Sequence, residues 1–78
     1  MQLAVTFISP QKVIFKGEAK SIILPGEQGV LEILPYHKRL LSRLVSGIIF
    51  IDEQSFGIIR GLVKVDQNKV VIIAEGVV

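Results

Sequence analysis

The chain contains no cysteine. That single absence removes disulfides, thiol nucleophiles and zinc-thiolate sites together, and it permits a reducing compartment. Histidine is nearly as scarce. His37 stands alone, so an imidazole-based metal site needs carboxylate partners, and none lies at ligand spacing from it. An excess of one charge is missing too: nine Lys and Arg against seven Asp and Glu leave a formal net charge of +2. That is too small by itself to point to a nucleic-acid or membrane partner. No apolar run approaches the roughly 20 residues that a helix needs to cross a bilayer. The start, Met1-Gln2-Leu3-Ala4-Val5, has neither a basic n-region nor a small-residue cleavage site, so it does not read as a signal peptide. The expectation is a soluble protein on the cytoplasmic side.

What remains is aliphatic. Half of the 78 residues are hydrophobic and 21% are charged, with Ile and Val dominating the apolar set. Such a chain folds, and its length predicts one domain over residues 1–78. A domain this small buries only about 60% of the surface its unfolded chain exposes. Some apolar surface is therefore left outside, which usually marks a partner site.

Period-two alternation predicts strands. Leu3, Val5 and Phe7 alternate with Gln2, Ala4 and Thr6 until Ser9-Pro10 ends the run, since proline has no N–H for a ladder. A short strand at residues 13–15 is expected to close at Lys16-Gly17, with a third over residues 18–24. Residues 25–29 (PGEQG) read as a turn, and a strand at residues 30–34 stops at Pro35. The β-branched runs at residues 48–51 and 58–59 are joined through residues 52–55. Residues 62–65 and 70–74 face each other across Asp66-Gln67-Asn68-Lys69, a strong hairpin signal. Only residues 38–45 (KRLLSRLV) leave helix and strand both open, because Leu40, Leu41 and Leu44 have helical spacing over about two turns. Short strands with turn signals every 8–12 residues or so predict an all-β fold, a small sandwich or flattened barrel. Leu3, Phe7, Phe15 and Ile33 are expected in its core, with Phe50 and Phe56 also within apolar patterns.

No catalytic constellation emerges. A Ser/His/Asp set assembled around His37 lacks a nucleophile elbow, and His37 reads as a surface residue in a turn. The glycines at residues 26 and 29 lack the Gly-Lys-Ser/Thr ending of a phosphate loop. Glu18, Glu27, Glu32, Glu53 and Glu75 are scattered, with nothing in their spacing to pair them. Lys38, Arg39 and Arg43 form the one basic cluster, but Tyr36 is the only aromatic beside it, where single-strand binders use several stacking platforms.

Seven pieces in order resemble the epsilon subunit of F-type ATP synthases. Phe15-Lys16-Gly17 matches its "F-x-G". Residues 21–29 (SIILPGEQG) match "S-V-x-x-P-G-x-x-G", and Ile33-Leu34-Pro35-Tyr36-His37 falls on "G-I-L-P-G-H". Leu40-Leu41 follows as the paired leucines and Ser46-Gly47 as "P-G", while residues 61–65 and 68–75 resemble "G-G-F-x-E-V" and "N-x-V-T-V-L-A-D". The resemblance implies a β-sandwich of about ten short strands, with no catalytic, cofactor or metal residues and no bound ATP. It implies a rotor subunit that grips the gamma subunit and rests on the c-ring, coupling ion flow to ATP synthesis. Its place is peripheral, at the cytoplasmic face of the inner (plasma) membrane. Partner contacts are implied at Glu27, Gln28, Gly29, Val30 and Leu31 in one turn, and at Pro35, Tyr36, His37, Lys38 and Arg39 in the next.

Departures qualify the resemblance. The family's "G-H-A-P" is here Tyr36-His37-Lys38-Arg39, and Glu32 replaces the glycine before "I-L-P". The connection between Phe50 and Phe56 is several residues shorter than in typical members, which predicts a stubby hairpin. The sequence stops at Val78 without the C-terminal helix pair, so neither an inhibitory latch nor an ATP site is expected. The alternative is an unrelated small β-barrel module that binds nucleic acid or a peptide.

Overall fold

Alternating burial along each strand carries the architecture. The computed structural model describes residues 2–78, with nine strands and no helix among them. They are β1 (Leu3–Ile8), β2 (Val13–Ala19), β3 (Ile22–Gly26), β4 (Gly29–Ile33), β5 (Leu40–Leu44), β6 (Gly47–Ile51), β7 (Gln54–Ile58), β8 (Gly61–Asp66) and β9 (Lys69–Ala74). In β1, Leu3, Val5 and Phe7 are buried while Ala4 faces solvent. The same parity puts Val63 and Val65 of β8 and Val70, Ile72 and Ala74 of β9 in the interior.

The ladder runs β2-β1-β9-β8-β5-β3-β6-β7, with β4 on the far side of β3. All pairings are antiparallel except β1 with β9. The sheet curls until its distant strands meet: the rings of Phe7 on β1 and Phe56 on β7 lie 5.4 Å apart, edge to face, and Phe15 on β2 lies 6.2 Å from Phe56. The result is a flattened half-barrel around one aliphatic core. Past β9 the chain crosses to β7, where Val77 bridges Ile58 and the Val78 N–H donates to the Gly57 carbonyl at 2.9 Å.

Segment 38–45 is a strand. Leu40–Leu44 pairs residue for residue with β8, and five ladder pairs outweigh two isolated helical turns. Its helical spacing was also a period-two spacing, with Leu44 inward and Leu41 outward. The stubby hairpin is present too: Ile51 pairs with Gln54 across Asp52 and Glu53 alone.

Three sequence expectations need correction. β2 does not close at Lys16-Gly17 but continues to Ala19, because Gly17 sits opposite Val5 inside the ladder. The break falls at Lys20-Ser21, whose N–H groups both donate to Asp52 Oδ1, at 2.9 and 3.0 Å. Pro25, Gly26 and Gly29 belong to strands, leaving only Glu27 and Gln28 as the turn. Finally, Phe15, Phe50 and Phe56 are half-buried rather than core; of the four phenylalanines only Phe7 is fully enclosed, alongside Leu3 and Ile33.

That difference sets an expected ranking. Phe7→Ala should cost about 3–5 kcal/mol by leaving a cavity, whereas Phe15→Ala should cost about 1–2 kcal/mol, the loss of partial burial and one edge contact. Urea denaturation midpoints of the two variants check the order.

Candidate docking surface

The two segments singled out in the sequence meet along β4: Glu27 and Gln28 are the turn before it, Gly29, Val30 and Leu31 are its first three residues, and Pro35 to Arg39 follow its end at Ile33. The first turn precedes β4. Its glycine, Gly29, has φ 130°, a conformation that side chains with a Cβ rarely adopt. The tip hooks onto β5: the Glu27 N–H donates to the Arg43 carbonyl at 3.2 Å and the Val45 N–H to the Pro25 carbonyl at 2.9 Å. Glu27, Gln28, Gly29, Val30 and Leu31 all line one cleft, together with residues 40–43. Val30 is 76% exposed and Leu41, across the cleft, 72%.

The second segment follows β4. The His37 N–H donates to the Leu34 carbonyl at 3.1 Å, closing a turn with Pro35 and Tyr36 in the middle. Tyr36 has φ 67°. Pro at the first central position and positive φ at the second are the marks of a type II turn, where glycine is the usual second residue. Tyr36 is therefore strained, by an amount on the order of 1–3 kcal/mol, and its ring is 74% exposed. Asn68 holds the strain in place: its Oδ1 accepts the Tyr36 N–H at 2.6 Å. Asn68 itself lies in the β8–β9 turn, where Gln67 and Asn68 have φ 51° and 63°, the left-handed pair favoured in two-residue hairpins. Arg39 Nε approaches Asp66 Oδ1 at 3.5 Å, a second tie to the same hairpin. His37 Nδ1 lies 2.7 Å from the Lys38 carbonyl; since a carbonyl only accepts, Nδ1 carries the proton. His37 is half-buried rather than a free surface residue.

The ten residues expected at the partner surface thus fall into two groups, one on the turn before β4 and the first three residues of that strand, the other just past its end. Sequence reasoning missed Asp66 and Asn68, which fix the second group, and residues 40–43, which wall the first. Asn68 was legible as a turn former, but its bond to Tyr36 spans 32 residues and leaves no local signal. Among the described residues no side chain that is polar or charged is buried, and no three of His, Cys, Asp and Glu converge as a metal-holding group.

An aliphatic core enclosed by short strands, with exposed turns at its surface, defines a small β-sandwich domain. Comparison with known proteins gives the family. The model of the ATP synthase delta/epsilon chain β-sandwich domain matches residues 2–78, and the chain belongs to that family. ATP synthase epsilon chains of Campylobacter curvus and Sulfurimonas denitrificans are 37% and 38% identical to it across 99% of this chain. The chain spans 64% and 63% of their lengths. Its fold matches a chain in the cryo-EM structure of the Euglena gracilis mitochondrial ATP synthase (OSCP/F1/c-ring), with TM-score 0.90 at 19% identity, over 99% of this chain and 52% of that one. A chain of the Tetrahymena thermophila mitochondrial ATP synthase central stalk and c-ring structure matches with TM-score 0.81 at 22% identity, over 100% of this chain and 66% of that one.

Tyr36→Gly should relieve the left-handed strain and raise stability by about 1 kcal/mol, despite removing a large side chain. Thermal denaturation of the variant checks this, with Tyr36→Ala, which keeps the strain, as the comparison.

Proposed function

We propose that this chain is a non-catalytic central-stalk subunit of an F-type ATP synthase, docking on the gamma subunit and the c-ring so that ion flow is coupled to ATP synthesis. The observation that carries the reading is geometric. Two exposed segments, each tied by backbone or side-chain bonds to a neighbouring hairpin or strand, lie at the two ends of one strand, the first including that strand's opening residues. A subunit that bridges two partners and transmits torque needs such a body: contact surfaces that lose little entropy on docking, joined by a core that does not yield. Family membership supplies the context, and the same reading places the chain peripherally, on the cytoplasmic face of the inner membrane.

In this role Tyr36, Lys38 and Arg39 carry recognition. Tyr and Arg are enriched at interface hot spots; the Tyr36 backbone is held by Asn68 Oδ1 and the Arg39 side chain lies beside Asp66 before any partner arrives. Glu27, Gln28, Gly29, Val30 and Leu31 form the second contact. The reading requires no cofactor, no metal and no bound nucleotide. A nucleic-acid role finds little support, since Tyr36 is the one strongly exposed aromatic among the described residues.

The test is co-purification with the gamma subunit from the same source, then titration. The chain should form a stoichiometric complex. Replacing Tyr36, Lys38 and Arg39 together by Ala should weaken it by at least about tenfold while the melting temperature changes little, since the left-handed strain is kept and only an exposed ion pair is lost. Absence of binding by the unaltered chain at micromolar concentration removes the rotor assignment.

A further inference from the structure

The peptide between Pro35 and Tyr36 has two ways to lie, and one distant side chain chooses between them. In a turn running from Leu34 to His37, the type I and type II forms share the closing bond, here from the His37 N–H to the Leu34 carbonyl at 3.1 Å. They also share proline's φ at the first central position, so Pro35 suits either form. What separates them is the central peptide, which turns over by about half a revolution. Between type I and type II, ψ of the first central residue moves from about −30° to about +120°, and φ of the second from about −90° to about +80°. Tyr36, with φ 67°, is in the second form, although a residue with a Cβ favours the first.

The donor that swings in this flip is the Tyr36 N–H, and that is the group Asn68 Oδ1 holds at 2.6 Å. The other ties of the segment are indifferent to the flip. The bond from His37 to Leu34 belongs to both forms, and the bond between His37 Nδ1 and the Lys38 carbonyl lies beyond the central peptide. The Arg39–Asp66 pair, at 3.5 Å between exposed side chains, is too solvated to enforce a backbone conformation. The Tyr36 ring is mostly exposed, so packing does not fix it either. Asn68, by contrast, is itself fixed. With Gln67 it spans the gap between the paired Asp66 and Lys69, both turn residues are left-handed, and its carbonyl accepts the Ala4 N–H of β1 at 2.8 Å.

We infer that Asn68 is a positioning residue for docking: by holding the Tyr36 N–H it selects the type II form, and with it the direction in which the ring leaves the backbone. Without Oδ1 the central peptide turns over to the form that tyrosine prefers, and the ring points elsewhere. This rests on the docking role proposed for Tyr36, and it names the residue, 32 positions away in the chain, on which that role depends. A partner that reads only the type II form binds with an affinity reduced by the fraction of chains that hold it. The net worth of one hydrogen bond moves such an equilibrium by about fivefold.

Asn68→Gly removes the acceptor and still suits the hairpin, since glycine takes the left-handed conformation without steric cost. The Pro35 Hα and the Tyr36 amide proton are close in the type II form and apart in the type I form, so the unaltered chain should give a strong nuclear Overhauser effect between them. In Asn68→Gly that signal should weaken, and the Tyr36 amide should exchange at least about fivefold faster. Binding to the gamma subunit–c-ring rotor of the same source should fall about fivefold. Gln67→Gly, which alters the same hairpin turn and leaves the acceptor, should change exchange and binding by less than about twofold. Adding Tyr36→Gly to Asn68→Gly should restore the strong signal, because glycine at the second central position favours type II. A weak signal in the unaltered chain, or an unchanged one in Asn68→Gly, overturns the inference. So does a turn that flips while binding stays within about twofold, or equal weakening by Gln67→Gly. An undiminished loss from Asn68→Gly in a Tyr36→Ala background makes Asn68 a direct contact and overturns it too. Failure of the unaltered chain to bind the rotor removes the docking reading and the positioning role with it, while the signal alone still decides whether Asn68 selects the turn.

Discussion

One backbone pair joins the two halves of this molecule: Gly26 at the tip of β3 with Leu44 at the end of β5. At this corner the chain leaves one layer in β5 and enters the other in β6. It turns there because Val45 donates to Pro25 and Glu27 donates to Arg43. Only glycine fits the tip, since a Cβ on Gly26 would stand 2.5 Å from the Gly29 carbonyl oxygen and 2.9 Å from Leu31 Cγ. Position 47, just past the corner, is also glycine, and a Cβ there would stand 2.9 Å from the Cβ of Pro25. On the opposite side, closure is by packing: Phe56 lies within edge-to-face reach of both Phe7 and Phe15. A curled sheet fixed by hydrogen bonds at this corner and between β7 and the segment past β9, and by aromatic contact among β1, β2 and β7, has little freedom to open, even at this size. The position of each surface turn follows from that.

The core was legible in the sequence because its signal is local. Leu3, Val5 and Phe7 announce an inward face by alternation alone, and so do Val63 and Val65, or Val70, Ile72 and Ala74. Strand ends were less legible wherever a residue type with turn character was held inside a ladder by a distant partner. Gly17 opposite Val5 is one such case, and Pro25 opposite Val30 is another. The depth of Phe15, Phe50 and Phe56 was not legible either. Alternation gives the face of a strand, but whether that face lies at the centre or the margin of the core depends on the curl, which is a property of all nine strands together. Segment 38–45 shows the reverse situation. Its leucines satisfy both periods, so only the availability of β8 as a partner settles the matter.

The candidate surface divides along the same line. Its candidate residues came from a resemblance carried by seven short motifs in order, and the family match agrees with that resemblance. Its support was not. Asn68 and Asp66 belong to a hairpin whose sequence explains itself as a turn, with Gln67 and Asn68 in left-handed conformations that suit strand twist. Nothing local in that hairpin says that its side chains also set the backbone of residues 36–39. Such double use is economical in a short chain. A residue required by one turn for its own geometry becomes the anchor of another, and both must be in place before either surface exists.

Tyr36 shows what this anchoring permits. A glycine in its place would adopt the turn without cost, and the related motif has glycine there; this chain instead holds a large aromatic at φ 67° and presents most of its ring to solvent. The strain is of the same order as one good hydrogen bond to a neighbouring backbone group, and the Asn68 side-chain Oδ1 accepts such a bond from the Tyr36 N–H at 2.6 Å. Asn68 is already required by its own turn, so the bond that offsets the strain asks for no further residue. The strain lies in an exposed turn rather than in the core, where a domain of 78 residues with a stability of only about 5–15 kcal/mol could least tolerate it.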